Sequence, residues 1–347
     1  MRVGLFTRDM GIDLGTANTL IYLNGKGVVF NQPSVIAVEA HSGKLIATGK
    51  KAKEMIGKTP ENIRVVCPLQ DGVISDFDMT IAMLQDFIMR ALAERVRASK
   101  FRVVIGVPSG VTEVEKRAVE EVVREMGGKD VYVLDEPMAA AIGADLAVDE
   151  PEGCMIADIG GGTTDIAIIA LGGIVASQSI RYAGDKFDEA IVSYMRKKFN
   201  LLIGSQTAES LKIGIGCAMV DKDDSGYEVI TQMDARGRDL VNGLPKIISV
   251  RNKDMQDALE ESVDIVIEGI KSTLEDAPPE LAADIVMNGL VLSGGGALIR
   301  NLDKLVELKT GIRVRVTENA FEAVVLGAGK GLTDIEKLKR YVHADRN

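Results

Sequence analysis

The chain has 347 residues, 46% of which are hydrophobic, and a formal net charge of −10. This length exceeds what one hydrophobic core usually holds, so it predicts two lobes. The charge excludes broad electrostatic binding of nucleic acid, because such binding needs clustered Lys and Arg, and we therefore expect no nucleic-acid partner.

The first predicted element is a β-hairpin over residues 12–21, which read IDLGTANTLI. The first strand is apolar and contains an Asp, a glycine-containing turn with Thr follows, and the second strand is again apolar. Such a turn lets another group approach the backbone closely. Residues 33–76 follow as a small predicted insertion. Residues 78–98 then show the apolar spacing that is typical of an amphipathic helix.

The next elements alternate between strand and helix. Residues 102–107 predict a buried strand, residues 113–126 an amphipathic helix and residues 131–134 a second short strand. Pro137 suits the first turn of a helix that runs through residues 139–144. This alternation predicts an α/β fold.

A second hairpin, residues 157–166, reads ADIGGGTTDI and repeats the pattern of the first. The repeat predicts a duplicated lobe in which each copy contributes one turn. A third glycine turn, residues 293–297 (SGGGA), follows an apolar segment at residues 290–292. Residues 181–251 are more polar, and they predict a subdomain inserted into the second lobe.

The glycine turns suit phosphate groups, which need many backbone N–H donors at short range. Glycine leaves the backbone open, and the amides of such turns form anion-binding nests. The candidate donors are Gly15, Thr16, Ala17 and Asn18 in the first hairpin, and Gly160, Gly161, Gly162 and Thr163 in the second. No stretch matches G-x-x-x-x-G-K-[ST], so the sequence excludes a P-loop enzyme.

Asp13 and Asp158 occupy equivalent places at the ends of the two entry strands. Two carboxylates that face each other across a cleft suit a hydrated Mg²⁺, which is held largely through the phosphates of a nucleotide. Alternatively, each Asp caps its own turn through a side-chain hydrogen bond. The symmetry of the two positions favours the metal site.

Three further charged residues have two interpretations each. Glu136 starts a predicted helix, where an acid stabilises by roughly 0.3–1 kcal/mol. Alternatively, Glu136 orients the water that attacks a γ-phosphate, because catalysis of phosphoryl transfer depends mainly on positioning the reactants. Glu209 and Lys212 share one helix face, either as a solvated ion pair or as a wall for ribose and adenine opposite the SGGGA turn.

The cysteines and histidines suggest no other chemistry. Cys67, Cys154 and Cys217 have neither metal-ligand spacing nor a disulfide pattern, which fits a reducing cytoplasm. His41 and His343 both lie in polar surroundings. We therefore expect the chemistry to rest on carboxylates, backbone amides and a bound cation.

Eight stretches, in family order across nearly the whole chain, resemble the MreB/Mbl family of bacterial actin homologues. They read GIDLGTANTLIY, GVVFNQPSVIAV, DGVISDF, DEPMAAAIGA, DIGGGTTDIAII, AGDKFDEAI, PPELAADI and LSGGGALIRNLD. The resemblance implies the α/β, actin-like ATPase fold of the actin/Hsp70/hexokinase superfamily, with two lobes that each combine a ribonuclease-H-like core and a small inserted subdomain. The first lobe would span residues 1–145, completed by about 320–347, and the second residues 146–319.

The resemblance also implies a function. A member of this family is a slow, Mg²⁺-dependent ATPase that polymerises with itself beneath the cytoplasmic membrane. Its filaments guide the cell-wall elongation machinery and maintain the shape of rod-shaped bacteria. ATP and Mg²⁺ are thus the expected cofactors, and the inner face of the cell membrane is the expected location.

The family pattern assigns roles to residues of this chain. It implies phosphate contacts at Thr16, Ala17, Asn18, Gly160, Gly161, Gly162 and Thr163, and nucleoside contacts at Glu209, Lys212, Gly294, Gly295, Gly296 and Ala297. It favours Glu136 as the residue that orients water. Ser210 and Gly214 stand where the family usually has Arg and Glu, which predicts a different nucleotide affinity or base preference.

Residues 1–8 carry Val3, Leu5 and Phe6 between two arginines. Without the resemblance, a disordered segment is the simpler interpretation. With it, we expect weak lipid binding by one molecule and stronger binding by a filament, because a filament presents many copies. The loop before residue 102 offers Phe101 as a second candidate contact with lipid.

Three alternatives belong to the same superfamily. A small-molecule kinase needs a base beside an acceptor hydroxyl, and no feature of the sequence demands one. An Hsp70-like chaperone needs a separate peptide-binding domain. A plasmid-partitioning actin fits the quoted stretches less well than the MreB/Mbl family does.

Overall fold

The computed structural model describes residues 9–92, 101–109 and 111–343, with residue 343 described by its backbone alone. The predicted lipid contacts of residues 1–8 lie outside the described residues, and so does the loop up to residue 100. Phe101 begins a strand and is buried in a hydrophobic core, so it is not exposed for contact with lipid. In the part of the chain that the structure describes, no helix is both long enough and apolar enough to span a membrane.

The structure is built from short strands. They are β1 (Met10–Leu14), β2 (Asn18–Leu23), β3 (Gly27–Pro33), β4 (Ile36–Glu39), β5 (Leu45–Thr48), β6 (Ile63–Val66), β7 (Leu69–Gln70), β8 (Val73–Ile74), β9 (Phe101–Val107), β10 (Gly128–Asp135), β11 (Cys154–Ile159), β12 (Thr164–Ala170), β13 (Gly173–Ile180), β14 (Leu201–Leu202), β15 (Gln232–Asp239), β16 (Pro245–Arg251), β17 (Leu290–Ser293) and β18 (Val314–Val316).

Helices alternate with these strands. They are α1 (Lys50–Lys53), α2 (Phe77–Ala91), α3 (Glu113–Glu125), α4 (Glu136–Gly143), α5 (Gly184–Phe199), α6 (Ser205–Ile215), α7 (Asn252–Glu275), α8 (Pro279–Asn288), α9 (Leu302–Thr310), α10 (Ala323–Gly331) and α11 (Ile335–His343). Two 3₁₀ turns cover Gly295–Leu298 and Ala320–Glu322.

Two five-stranded sheets have the same plan. Their strand orders are β3-β2-β1-β9-β10 and β13-β12-β11-β17-β18. In each, an antiparallel hairpin (β1–β2 or β11–β12) continues through a parallel pairing with a later strand, β9 or β17. This repetition confirms the predicted two-lobed α/β architecture. We call the part that carries the first sheet the first lobe and the part that carries the second sheet the second lobe.

Smaller sheets lie within both predicted insertions. Strands β5-β4-β6 form one inside residues 33–76, and β14-β15-β16 form another inside residues 181–251. The second segment also contributes α5, whose buried Phe187 and Ile191 belong to the same core cluster as Met155 of β11. The lobe boundaries themselves, residues 145 and 319, remain our proposal.

Local signals explain where the helices begin. Thr112 caps α3, since its hydroxyl accepts from the backbone N–H of Glu115 at 3.3 Å while Glu115 Oε2 accepts from the N–H of Thr112 at 2.6 Å. Asp76 caps α2 by accepting from the N–H of Met79. As predicted, α2 buries Leu84 and Phe87. It ends at Ala91, and residues 93–98 of the predicted helix lie outside the described residues.

Helices α4 and α10 pack tightly at the junction of the lobes. A Cβ on Gly143 would lie 1.9 Å from the carbonyl oxygen of Ala323, and a Cβ on Gly327 would lie 1.8 Å from that of Ala139. Only glycine allows this approach. The surrounding core cluster contains Val104 from the first sheet together with residues of the second, so one apolar core joins the two lobes beneath the cleft.

Candidate functional site: the cleft between the lobes

The two hairpin turns, residues 15–18 and 160–163, meet at a single cleft between the lobes. A Cβ on Gly161 would lie 2.5 Å from the Cβ of Ala17, and a Cβ on Gly162 would lie 2.6 Å from Oγ1 of Thr16. The glycines therefore serve the contact between the two turns as well as the approach of a ligand. Only the second of these roles was predicted from the sequence.

The cleft has a volume of about 310 Å³. Its lining contains the predicted site residues Asp13, Thr16, Ala17, Asn18, Glu136, Asp158, Gly160, Gly161, Gly162, Thr163, Glu209, Lys212, Gly294, Gly295 and Gly296. Ala297, the last residue of the third glycine turn, is the exception, because it is buried and does not line the cleft. Residues that were chosen from five separate segments of sequence thus converge on one site.

The start of α5 also contributes to the site, although its residues were not predicted from the sequence. Gly184, Asp185 and Asp188 line the cleft. The N–H of Gly184 donates to the carbonyl of Gly160 at 3.1 Å, and that of Asp185 donates to Gly161 at 2.8 Å. These bonds fix the second glycine turn to the first turn of the helix. The signal was present, because all three residues lie in the stretch AGDKFDEAI, which carried the family resemblance.

Lys212 is anchored within its own lobe. Its Nζ lies 2.9 Å from a carboxylate oxygen of Asp188 and donates to the carbonyl oxygen of Gly184 at 2.8 Å. Lys212 is therefore a fixed cation on the wall of the cleft, near the second glycine turn, and this position suits an anionic or polar part of a ligand.

The two departures from the family pattern have local packing roles. The hydroxyl of Ser210 donates to the carbonyl of Gln206 at 2.8 Å, within α6. A Cβ on Gly214 would lie 2.8 Å from the sulfur of Met233, so glycine lets α6 pack on β15. Neither Ser210 nor Gly214 is among the residues that line the cleft.

Asp13 and Asp158 face the floor of the cleft from β1 and β11. Burial, and then the charge of Asp158, raise the pKa of Asp13 to about 8. Burial raises the pKa of Asp158 to about 7, although Ser293 opposes the shift. One carboxylate oxygen of Asp158 is buried without a hydrogen-bond partner in the described structure. Two crowded carboxylates, one with an unpartnered oxygen, fit a divalent cation.

The donor set also indicates how such a cation would be held. Among the described residues, no three His, Cys, Asp or Glu side chains are arranged to bind a metal ion by themselves. A hydrated Mg²⁺ keeps several waters and needs only one or two carboxylates besides phosphates. The residues present therefore fit Mg²⁺ that arrives with a nucleotide.

Glu136 is the first residue of α4 and is buried, yet it still lines the cleft. Burial raises its pKa well above the ordinary value of 4.5, and the charges of Asp165, Asp13 and Asp158 act in the same direction. Glu136 lines the cleft together with Asp13 and Asp158, so it belongs to the same acidic cluster as the two candidate metal ligands.

Asp165 is an acidic residue that the sequence pattern did not single out. It is fully buried and stands opposite Asp158 in the β11–β12 hairpin, whereas Leu20 holds the corresponding place opposite Asp13. One oxygen of Asp165 accepts from the N–H of Ser109, in the first lobe, at 3.0 Å. The two hairpins are therefore alike in backbone but not in charge.

The crowded acids predict an unusual pH dependence in the absence of ligand. The folded pKa values of Asp13 and Asp158 lie above their ordinary value of 3.8, so the folded protein binds more protons than the unfolded chain. Stability is then fully present below about pH 4 and is lost as the pH rises through about 7 and 8. We expect the urea midpoint of nucleotide-free protein in EDTA to fall from about pH 6 to about pH 8.

A constant or rising midpoint over that range would contradict this assignment. Added Mg²⁺ and ATP should reduce the fall, because the cation stabilises the ionised carboxylates. Asp221, whose pKa is lowered by Asn301, provides a control, and its Asn variant should leave the slope unchanged.

Comparison with known proteins identifies the family of this chain. A sequence model of the family described as MreB/Mbl protein matches residues 7–340. The cell shape-determining protein Mbl of Bacillus subtilis (strain 168) is 46% identical over 336 residues, covering 97% of this chain and 99% of that protein. The cell shape-determining protein MreB of Escherichia coli (strain K12) is 46% identical over 337 residues, covering 96% and 95%.

Solved structures show the same fold. MreB5 of Spiroplasma citri bound to ADP is 39% identical, with a TM-score of 0.89 and coverage of 96% of this chain and 98% of that one. A MamK double helical filament is 25% identical, with a TM-score of 0.78 and coverage of 94% and 98%. These similarities confirm the actin-like ATPase fold that the sequence predicted.

Proposed function

This chain belongs to the MreB/Mbl protein family, and we propose that it is an ATP-dependent, actin-like cytoskeletal protein whose filaments organise cell-wall synthesis and maintain rod shape. The observation that carries the proposal is the convergence of two glycine turns and the paired acids Asp13 and Asp158 in one cleft between duplicated lobes. The similar MreB5 of Spiroplasma citri has been solved bound to ADP and bound to AMPPNP, which supports a nucleotide as the ligand.

Different parts of the cleft suit the phosphates and the nucleoside of ATP. We assign the phosphates to the amides of residues 16–18 and 160–163, because these turns face each other at the cleft floor. We assign the nucleoside to the space between Glu209 and Lys212 on one side and the turn of residues 294–297 on the other. Ala297 would support the turn without touching the nucleoside, since it is buried.

Asp13 and Asp158 would hold Mg²⁺ through its waters. When bound, Mg²⁺ supplies charge neutralisation on the phosphate oxygens. Glu136 would orient the attacking water through a hydrogen bond and accept its proton, since a carboxylate does both beside the γ-phosphate. Slow hydrolysis fits a site that positions the reactants and holds no second catalytic base among the residues named.

Kinase and chaperone functions are not favoured. The relatives named cell shape-determining proteins match nearly the whole chain, and this chain covers 99% and 95% of their lengths.

The proposed partners are further copies of this chain, the inner surface of the cytoplasmic membrane and the cell-wall elongation machinery. The similar MamK structure is a double helical filament, which supports self-assembly for this fold. We keep residues 1–8 as the candidate lipid contact.

The function is tested by assembly on lipid. Purified protein with ATP and Mg²⁺ should sediment only above a critical concentration, and electron microscopy should show linear filaments on anionic lipid monolayers. We expect assembly at or below tens of micromolar, about the range of ordinary protein interfaces. A protein that stays monomeric at those concentrations, with ATP bound, would count against the filament proposal.

A further inference from the structure

An ion pair crosses the mouth of the cleft from one lobe to the other. Nζ of Lys53, the last residue of α1 in the first lobe, lies 2.8 Å and 2.6 Å from the two carboxylate oxygens of Glu209 on α6. One turn earlier on α6, Nε2 of Gln206 donates to the backbone carbonyl of Lys53 at 2.5 Å. A single residue of the first lobe is thus held at both its side chain and its backbone by the second lobe.

Glu209, the acidic member of this ion pair, lines the cleft. Glu209 and Lys212 both line the cleft, but they are fixed in different ways. Lys212 is held within its own lobe by Asp188, whereas the partner of Glu209 is Lys53 in the other lobe. The position of the Glu209 carboxylate therefore depends on the closure of the cleft, and the position of Lys212 does not.

The surrounding charges make Lys53 important for closure. Burial raises the pKa of Asp185. The negative charges of Glu209 and Asp71 raise it further, whereas the positive charges of Lys212 and Lys53 lower it. Without Lys53, Glu209 in the second lobe would keep its acidic neighbours and lose the cation that faces it. Asp71 of the first lobe then acts on Asp185 of the second without the opposing charge of Lys53, and this repulsion favours an open cleft.

We propose that Lys53 is a positioning residue that holds Glu209 against the nucleoside and clasps the two lobes, so that it sets the rate at which nucleotide leaves the cleft. The inference rests on the proposed function, because it presumes a nucleotide in the cleft. It goes beyond that function by assigning retention of the nucleotide to a side chain outside the cleft lining. The side chains of Lys53 and Glu209 are 30% and 29% exposed, so solvent screens the pair in part and the effect is moderate.

The test measures release of a fluorescent ATP analogue after a chase with excess ATP, at protein concentrations below assembly. Lys53→Gln should speed release about two- to fivefold, since partly exposed pairs contribute modestly. Lys53→Arg should restore slow release. The matched control is Lys51→Gln, because Lys51 is an exposed lysine of the same helix. Single-turnover hydrolysis of bound ATP should stay within about twofold in Lys53→Gln, which general loosening of the fold would not allow.

A double-mutant cycle isolates the pair. Glu209→Gln should also speed release, and Lys53→Gln combined with Glu209→Gln should be no faster than the faster single variant. The proposed role of Lys53 is contradicted if the two effects multiply instead, or if Lys53→Gln releases nucleotide no faster than Lys51→Gln.

A second measurement needs no nucleotide. A carbodiimide condenses the Lys53 amine with the Glu209 carboxyl into an amide and is itself hydrated to a urea, so only groups in direct contact are joined. Mass spectrometry of nucleotide-free wild type should show this cross-link, and the Lys53→Gln protein should lack it. If the wild type binds no nucleotide, the proposed function fails and the cross-link alone decides the clasp; its absence from wild type would overturn the contact.

Discussion

Replacing Asp158 with Asn is expected to weaken binding of Mg²⁺ and ATP by about 100-fold or more, the upper range for groups that orient a bound metal. The reason is the unpartnered, buried carboxylate oxygen of Asp158, which lines the cleft opposite Asp13. An amide keeps the shape of the side chain but removes the charge that attracts the cation. Titration calorimetry with ATP, in Mg²⁺ and in EDTA, measures the difference.

The same variant is expected to be as stable as wild type, or more so, when no ligand is present. Burial raises the pKa of Asp158 to about 7, so its ionised form is unfavourable in the empty cleft at about pH 8. Asn removes that cost, and the melting temperature of the ligand-free protein should not fall. Loss of binding together with preserved stability distinguishes a ligand site from a structural cap.

Asp276 provides the matched control, because it is an exposed acid in the same lobe, after the end of α7. Asp276→Asn should bind Mg²⁺ and ATP like wild type. Wild-type affinity in Asp158→Asn would remove Asp158 from the metal site. A large drop in melting temperature would instead support the alternative that Asp158 caps its own turn.

Replacing Glu136 with Gln is expected to slow ATP hydrolysis by about 10²–10⁴-fold, the usual contribution of a positioned acid–base group. ATP affinity should stay within a few-fold of wild type, because we assign Glu136 to the attacking water and not to the nucleotide. Gln fills the same space at the start of α4 but cannot accept a proton. Phosphate release in a single turnover and calorimetry measure the two properties separately.

Asp135 is a matched control for that substitution. It precedes Glu136 directly, and its carboxylate lies 3.5 Å from Lys116 of α3. Asp135→Asn should therefore change hydrolysis much less than Glu136→Gln. Unchanged phosphate release in Glu136→Gln would assign the water to another group, and loss of ATP binding would show that Glu136 is structural.

Local patterns were enough to predict much of the fold. The repeated hairpins at residues 12–21 and 157–166 predicted β1–β2 and β11–β12, because apolar runs and a glycine turn specify a hairpin within a few residues. The helix predicted at residues 113–126 corresponds to α3, whose capping box is also local. The strand predicted at residues 131–134 is longer in the structure, Gly128–Asp135, since its pairing with β9 extends it in both directions.

The sequence predicted some residues of the candidate site and missed others. Its glycines, Asp13 and Asp158 were found because they recur in two copies, and Glu136 was found because it starts a helix. Asp165 was missed, since the first hairpin has Leu20 in its place and the repeat gave no signal there. Lys53 was missed because its partner is 156 positions away along the chain.

The sequence by itself determined the duplicated hairpins, the alternation of strand and helix, and the residue types that suit phosphate and Mg²⁺. These properties depend on neighbours a few residues apart, through hydrogen bonding and side-chain periodicity. The tertiary structure decided which distant groups meet. It set Ala17 against Gly161, buried Asp165 beside Ser109, and joined Lys53 to Glu209 across the cleft. Such contacts follow from the packing of two lobes on a shared core, which no local pattern encodes.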